Sequence, residues 1–374
     1  MHSCLSCKSN DFYENKTFGT LPRVTSDSAP FPAGGRIGVC LQCGLVQKPV
    51  DERWKKEIGG IYGDYHMYEL TGGLDQILFS AGGVTRAEKI VDILQAEFPT
   101  DFAGTVIDIG CGTGGFLKAF AEKFPHAHLY GKEINDNNLK YLERIPNFEK
   151  LYTAEHPTIN QPFDLITSIH CFEHLYDYDG FFRELESIKK SDAKILLQVP
   201  DIDTSPFDIA IADHAAHFSQ DTLRECLNRH VKNCVVFQCM DKELTAIARP
   251  NAGENIKPLE NKKINPINLA KTLDKHVDYL AHLIEHIGAQ RLSEFGVYGT
   301  TIAGAWLTGA FPDNIAFYVD DDPLKQGKKL YDKDIIAPRD VAKHGKVVMP
   351  FAAATRQKIL QRHPNLIDSA VYCD

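Results

Sequence analysis

Three groups of residues in this 374-residue chain could do chemistry. The first is Val106-Ile-Asp-Ile-Gly-Cys-Gly-Thr-Gly-Gly-Phe116, where a hydrophobic run ends in Asp108 and Gly110, Gly112 and Gly114 open a predicted helix. Glycines let a chain turn sharply and approach a ligand without Cβ clashes, and the first N–H groups of the helix that follows have no partner within it. In a dinucleotide enzyme those donors would meet a pyrophosphate. A carboxylate immediately before the glycines repels phosphate and suits a ligand that carries an ammonium group. Glu133 ends the next predicted strand, 19 residues after Gly114, where an acid can accept both ribose hydroxyls of an adenosyl ligand.

The second group is Cys4-x-x-Cys7 with Cys40-x-x-Cys43. Two such pairs provide four thiolates, which suits tetrahedral zinc, and a closed four-thiolate site leaves no open position for catalysis, so the zinc is expected to be structural. The separation between the pairs exceeds the commonest spacing, so a strand-and-loop excursion should fill it. Cys111, Cys171, Cys226, Cys234, Cys239 and Cys373 show no ligand spacing and read as packing residues.

The third group is Asp213-His214-Ala-Ala-His217-Phe218-Ser219. An Asp beside a His, Asp213 and His214, with a second His, His217, three residues on, could provide a general base; a simple lead into the next helix is the alternative. His170-Cys-Phe-Glu-His174 follows a predicted strand at the end of the sheet where doubly wound folds bind ligand. His170 is expected to border the cofactor and His174 to face the substrate, against the alternative of two ordinary loop histidines.

The elements that must position these groups follow from hydrophobic periodicity. Helices are expected over 84–98, 114–124, 135–145, 180–190 and 220–230, and strands over 104–110, 127–134, 163–170 and 193–200, with closing strands at 234–240 and 243–249. This alternation implies a mainly parallel sheet with helices on both faces. A polar stretch at 250–264 reads as a linker, 268–290 as a long helix, and a second βα pattern begins at 294. The expected fold class is α/β: a Rossmann-like doubly wound sheet, preceded by a zinc-binding domain and followed by a second Rossmann-like α/β domain. The expected boundaries are 1–80 for the zinc domain and a tyrosine-containing connector, 81–255 for the central sheet, and 256–374 for the linker helix and C-terminal domain.

The formal net charge of -9 argues against nucleic acid as a partner, because phosphate neutralisation wants a basic face. The N-terminus lacks a basic-then-apolar leader pattern, and no apolar run reaches the ~20 residues a membrane span needs. A cytoplasmic protein with no membrane partner is expected. In that compartment ten cysteines point to metal ligands and buried thiols rather than disulfides.

The Asp108–Gly114 loop resembles motif I of class I S-adenosylmethionine-dependent methyltransferases. The three groups together look like the sugar C-methyltransferase family that acts on nucleotide-linked sugars, in which a zinc domain with two CxxC pairs precedes the methyltransferase core and a Rossmann-like domain follows. The zinc pairs match at Cys4, Cys7, Cys40 and Cys43, and the segment before the core matches loosely at Tyr65-His-Met-Tyr68. Val319-Asp-Asp-Asp-Pro-Leu-Lys-Gln-Gly327 resembles that family's D-x-x-P-x-K-Q-G run, and Val297-Tyr-Gly-Thr-Thr-Ile-Ala-Gly304 its glycine turn. The resemblance implies S-adenosylmethionine as methyl donor and His214, oriented by Asp213, as the base that deprotonates the carbon alpha to a sugar ketone. The enolate oxygen would need a donor such as His174 or Tyr68.

Asp213 replaces the family's Glu, Ile211 its usual Tyr, and Lys346-Val-Val-Met-Pro-Phe351 lacks its Trp-Asn. An oxygen or nitrogen acceptor on another small metabolite is therefore the second reading, and a non-catalytic zinc-containing scaffold the third. The partner is a small molecule in the first two readings, and the protein is expected to be a monomer or homodimer.

Overall fold

The computed structural model describes residues 3–63, 77–78, 84–249 and 264–372. Its elements are, in chain order, β1 (Phe12–Asn15), β2 (Ile37–Cys40), β3 (Val46–Gln47), α1 (Glu52–Gly63), α2 (Arg86–Leu94), β4 (Thr105–Ile109), α3 (Gly115–Lys123), β5 (His128–Lys132), α4 (Leu139–Leu142) and β6 (Phe148–Tyr152). There follow β7 (Phe163–Ile169), α5 (Tyr178–Ile188), β8 (Lys189–Pro200), β9 (Ala216–His217), α6 (Gln220–Asn228), β10 (Cys234–Met240), β11 (Glu243–Ala248) and α7 (Pro266–Ala289). The chain continues through β12 (Phe295–Tyr298), α8 (Ile302–Ala310), β13 (Ile315–Val319), β14 (Lys329–Leu330), β15 (Lys333–Ile336), β16 (Val347–Val348), α9 (Ala353–Arg362) and β17 (Ala370–Val371).

The central sheet has seven strands in the order β6-β5-β4-β7-β8-β11-β10. The first five run parallel, and β11 enters antiparallel between β8 and β10. Strand order reverses between β4 and β7, so the carboxyl ends of these two strands flank the crevice where such sheets bind ligands. Alternate side chains of a strand leave opposite faces. Val106, Leu165 and Leu196 join Ile90, Leu117 and Phe120 of α2 and α3, while Ile107, Ile166 and Ile195 join Leu185, Leu223 and Trp54 on the other face. Thr85 caps α2 through a capping box with Glu88, and Ser219 caps α6. Each cap satisfies donors that a helix start leaves open.

The cysteine-bearing sheet has the order β1-β2-β3-β9. Its fourth strand comes from the segment between β8 and α6, where Ala216 and His217 pair with Gln47 and Val46. The C-terminal sheet runs β14-β15-β13-β12-β16-β17, parallel except for the β14/β15 hairpin. A single apolar cluster joins Val24, Ile37 and Val39 to Leu273 and Val277 of α7 and to Val297 and Trp306. The Trp306 indole N–H donates to the Pro22 carbonyl at 2.7 Å. The N-terminal segment is thus packed against both later sheets rather than standing apart.

The helix expected over 135–145 shrinks to Leu139–Leu142, and Phe148–Tyr152 adds an edge strand that periodicity did not indicate. Among the described residues no helix is long and apolar enough to cross a membrane. Tyr65, Tyr68 and the linker residues 250–263 lie outside the described residues.

Candidate active site and metal centre

The glycine loop leaves β4 at its carboxyl end. Gly110, Gly112 and Gly114 have φ of 78°, 53° and 84°, the left-handed region that side chains other than glycine enter at a cost. A Cβ on Gly110 would lie 2.7 Å from Cys171 Cβ, and one on Gly114 would lie 2.5 Å from Ile145 Cδ1. Both positions therefore need glycine for space as well as for backbone conformation. Gly114 forms the N-cap of α3.

Asp108 is buried at 3% exposure and accepts from the Thr167 hydroxyl at 2.7 Å. Burial pushes its carboxyl up to about 7 against the Thr167 hydrogen bond, and the Glu133 charge adds to the rise. Glu133 directly follows β5 and accepts from the N–H of Gly112 at 2.7 Å and of Ile134 at 3.1 Å. Its carboxyl is also raised, by burial that outweighs those two donors. Two buried acids at the mouth of a glycine turn, each with its carboxyl raised by burial, suit a ligand that presents a cation and hydroxyl donors, since a bound cation would offset the burial of the charged form.

The four cysteines converge. Cys4 Sγ lies 3.6 Å from Cys43 Sγ, Cys7 Sγ lies 3.5 Å from Cys40 Sγ, and all four sulfurs fall within 4.8 Å of one another. A tetrahedral zinc with ~2.3 Å bonds to sulfur would space its thiolates about 3.8 Å apart. The set therefore fits a structural zinc, held by the turn before β1 and the turn between β2 and β3.

His174 and His214 also converge, with ring centroids 4.6 Å apart and edge to face. The orientation of His214 differs from the sequence expectation. Its Nδ1 meets Asp208 Oδ1 at 2.9 Å, whereas the adjacent Asp213 accepts from the Ser26 N–H at 2.9 Å and the Ser26 hydroxyl at 2.5 Å and sits 3.3 Å from His174 Nδ1. Neighbouring side chains leave the backbone in different directions, so Asp213 turns to Ser26 and His174. A 3-10 turn at Asp208–Ala210 brings the second carboxylate under His214. Asp208 reaches His217 as well, with Oδ2 2.6 Å from His217 Nδ1.

Lys48 of the segment after β3 completes this group. Its Nζ lies 3.2 Å from His217 Nε2 and donates to the carbonyls of Ile211 and His214. Burial drives its ammonium down to about 7, although Asp208 and Asp213 work in the other direction. Burial and the Lys48 charge hold His217 down to about 4. Despite burial, His217 and His214 keep the Asp208 carboxyl far below the usual carboxylate range, and the His174 hydrogen bond does the same for Asp213. Both oxygens of Asp208 are taken by histidine Nδ1 atoms, which makes Asp208, His214 and His217 a hydrogen-bonded chain.

His170, expected to border the cofactor, has both ring nitrogens beside carboxylates. Its backbone is left-handed at φ 51°, and its ring lies between Glu173, 3.2 Å from Nδ1, and Glu243, 2.9 Å from Nε2. Burial works against the charged ring, but Glu243 leads the forces that raise it to about 9. The side chain that abuts Gly110 at this strand end is Cys171. His174 receives support from Tyr62, whose hydroxyl is 3.0 Å from its Nδ1. No spacing signal marks Asp208, Lys48 or Thr167. Glu173 stands inside the first histidine motif without an expected role, and His217 is the second histidine of the 213–219 motif.

Residues 84–230 match the family described as "Methyltransferase domain", and this stretch of the chain is a methyltransferase domain. The chain is similar to ajmaline N-methyltransferase of Rauvolfia serpentina, at 32% identity over 27% of this chain and 39% of that protein. It is also similar to malonyl-[acyl-carrier protein] O-methyltransferase of Acetivibrio thermocellus, at 26% identity over 28% of this chain and 38% of that protein. The chain thus spans about two fifths of the length of these curated relatives. Among solved structures, a SAM-dependent methyltransferase from Aquifex aeolicus matches 44% of this chain and 88% of its own, with 18% identity and a TM-score of 0.35.

Proposed function

We propose that the chain is an S-adenosylmethionine-dependent methyltransferase that methylates a carbon of a nucleotide-linked ketosugar. The observation that carries the methyltransferase reading is the pairing of Asp108 and Glu133 about the Gly110–Gly114 turn, within a stretch that matches the methyltransferase family. Asp108 suits the ammonium of the methionyl part and Glu133 the ribose hydroxyls. S-adenosylmethionine, when bound, supplies an electrophilic methyl group.

The chain's own residues would prepare the acceptor. With Nδ1 of His214 committed to Asp208, Nε2 is the ring atom available to take a proton from the carbon alpha to the ketone, and proton transfer of this kind contributes ~10²–10⁴-fold. His174, held by Tyr62 and Asp213, stands beside it as donor to the developing enolate oxygen. His174 is raised from its ordinary value by the Asp213 carboxylate, which overcomes burial. Tyr68 and His170 remain candidates for the roles expected of them, in acceptor and donor binding. The acceptor class rests on the sequence resemblance at the zinc pairs and at Val319–Gly327.

Incubation with methyl-labelled S-adenosylmethionine and a panel of keto and hydroxy nucleotide-sugars tests this reading. Label in a keto-sugar supports it; label in protein or lipid and in none of the sugars overturns the acceptor class. The second reading, transfer to oxygen or nitrogen of another small metabolite, is favoured by the names of the two relatives. It separates from the first through His214→Ala, because transfer to an amine can proceed by positioning alone. Failure to bind S-adenosylmethionine in a titration would instead favour a scaffold.

A further inference from the structure

We infer that Lys48, carried by the cysteine-bearing sheet, fixes which ring nitrogen of His214 is free, acting through His217 and Asp208. The inference rests on the proposed role of His214 as the base and adds a positioning residue to it. An ammonium has three N–H donors and no acceptor. Three acceptors surround Lys48 Nζ: the carbonyl of Ile211, the carbonyl of His214 at 3.1 Å, and His217 Nε2 at 3.2 Å. All donors are then used, and His217 Nε2 must be the unprotonated nitrogen of its ring.

The rest follows by accounting. The proton of His217 sits on Nδ1 and is donated to Asp208 Oδ2 at 2.6 Å, and the other oxygen of Asp208 receives the Nδ1 proton of His214 at 2.9 Å. His214 Nε2 is left as a bare acceptor. Lys48, Asp208, His214 and His217 are at most 3% exposed, so water does not compete for these donors. The two carbonyls that Lys48 grips belong to the same loop, and His217 sits in β9, paired to β3 two residues before Lys48. The charged and titratable groups that face this chain include Arg23 and Asp213 toward Lys48, His174, Glu173 and Asp213 toward His214, and Asp201 and His276 toward Asp208.

Without Lys48, His217 Nε2 loses its donor and the ring can gain a proton. A protonated His217 neutralises Asp208 and loosens the carboxylate's hold on His214. A buried lysine is expensive to desolvate, and an apolar side chain would fill the same space at less cost, so a role that packing alone does not supply accounts for it.

The test is histidine ring NMR on the full-length protein labelled with ¹⁵N-histidine, joined to the pH profile of methyl transfer. In the unsubstituted protein His214 and His217 should both show the Nδ1-protonated neutral form; an Nε2-protonated His217 overturns the inference without any variant. In Lys48→Met the His217 midpoint should rise by about one pH unit, a tenfold change in proton affinity, and the acid limb of kcat/KM should move up with it. Lys48→Arg keeps a charged donor and should restore most of the shift. Unchanged ring forms and midpoints in a folded Lys48→Met protein would also overturn the inference. The NMR readout needs no substrate, so failure to methylate any sugar would reject the function proposed above and leave the proton accounting to stand or fall alone.

Discussion

Asp208 Oδ1 lies 2.9 Å from His214 Nδ1, while Asp213, the residue next to His214 in the chain, hydrogen-bonds Ser26 instead. The two carboxylates should therefore behave differently when neutralised. Asp208→Asn can accept from only one histidine and forces the other to reorient. Its kcat should fall by about 10²–10⁴-fold, the scale of general-base catalysis, with affinity for S-adenosylmethionine kept. Asp213→Asn loses a charged hydrogen-bond partner worth about 1.5–3 kcal/mol and loosens His174, so stability should fall and kcat should fall less than in Asp208→Asn. Steady-state kinetics and thermal unfolding of the two variants separate these outcomes.

Asp108 makes cofactor binding depend on pH. Its folded carboxyl is raised to about 7 by burial, so in the free protein it is largely protonated below that pH, and a bound ammonium requires it ionised. Affinity for S-adenosylmethionine should fall by about tenfold per pH unit below 7 and level off above it. The same shift favours the folded apo-protein at low pH: that contribution is complete below the unfolded value near 3.9 and is lost as pH rises through 7. Calorimetric titration from pH 5 to 8 checks the affinity, and Asp108→Asn should flatten the profile.

Gly110 has no room for a methyl group. Gly110→Ala must hold an L-residue at φ 78° and place its Cβ 2.7 Å from Cys171. The backbone term alone costs about 1–2 kcal/mol, so cofactor affinity should drop at least tenfold. Adding Cys171→Gly should recover part of it by removing the clash but not the backbone cost.

A metal held by the cysteine set would be coupled to the histidine loop, because β3 pairs with β9 and β9 carries His217. Cys43→Ser should lose the bound zinc, about one ion per chain in the intact protein, and should loosen the His214–His217 segment. Elemental analysis and hydrogen exchange over 211–218 measure the two effects. Retained zinc with unaltered exchange would count against the cysteine set as a metal centre.

The glycine turn, Asp108, Glu133 and the cysteine pairs were legible because each lies in a short run where residue type and spacing carry the chemistry. The strands β4, β7 and β8 were equally plain, since their central residues, Val106-Ile107, Leu165-Ile166 and Ile195-Leu196-Leu197, are apolar on both faces. Long-range partners were not legible. Lys48 and His217 are 169 positions apart, and only the folded β3–β9 pairing brings them together. Asp208 was hidden for a local reason: adjacency to His214 drew the orienting role to Asp213, whereas a turn of 3-10 helix supplies the carboxylate from six residues upstream. The edge strand β6 is exposed over much of its length and alternates weakly, so it carries little hydrophobic signal.

The proposed carbon methylation through His214 can be read directly by NMR of the product formed from ¹³C-methyl S-adenosylmethionine and a keto nucleotide-sugar, with His214→Ala alongside. A new methyl carbon bonded to the sugar carbon alpha to the ketone is expected, and none above background in the variant. A methyl carbon bonded to oxygen or nitrogen, or carbon methylation that persists in His214→Ala, would contradict it.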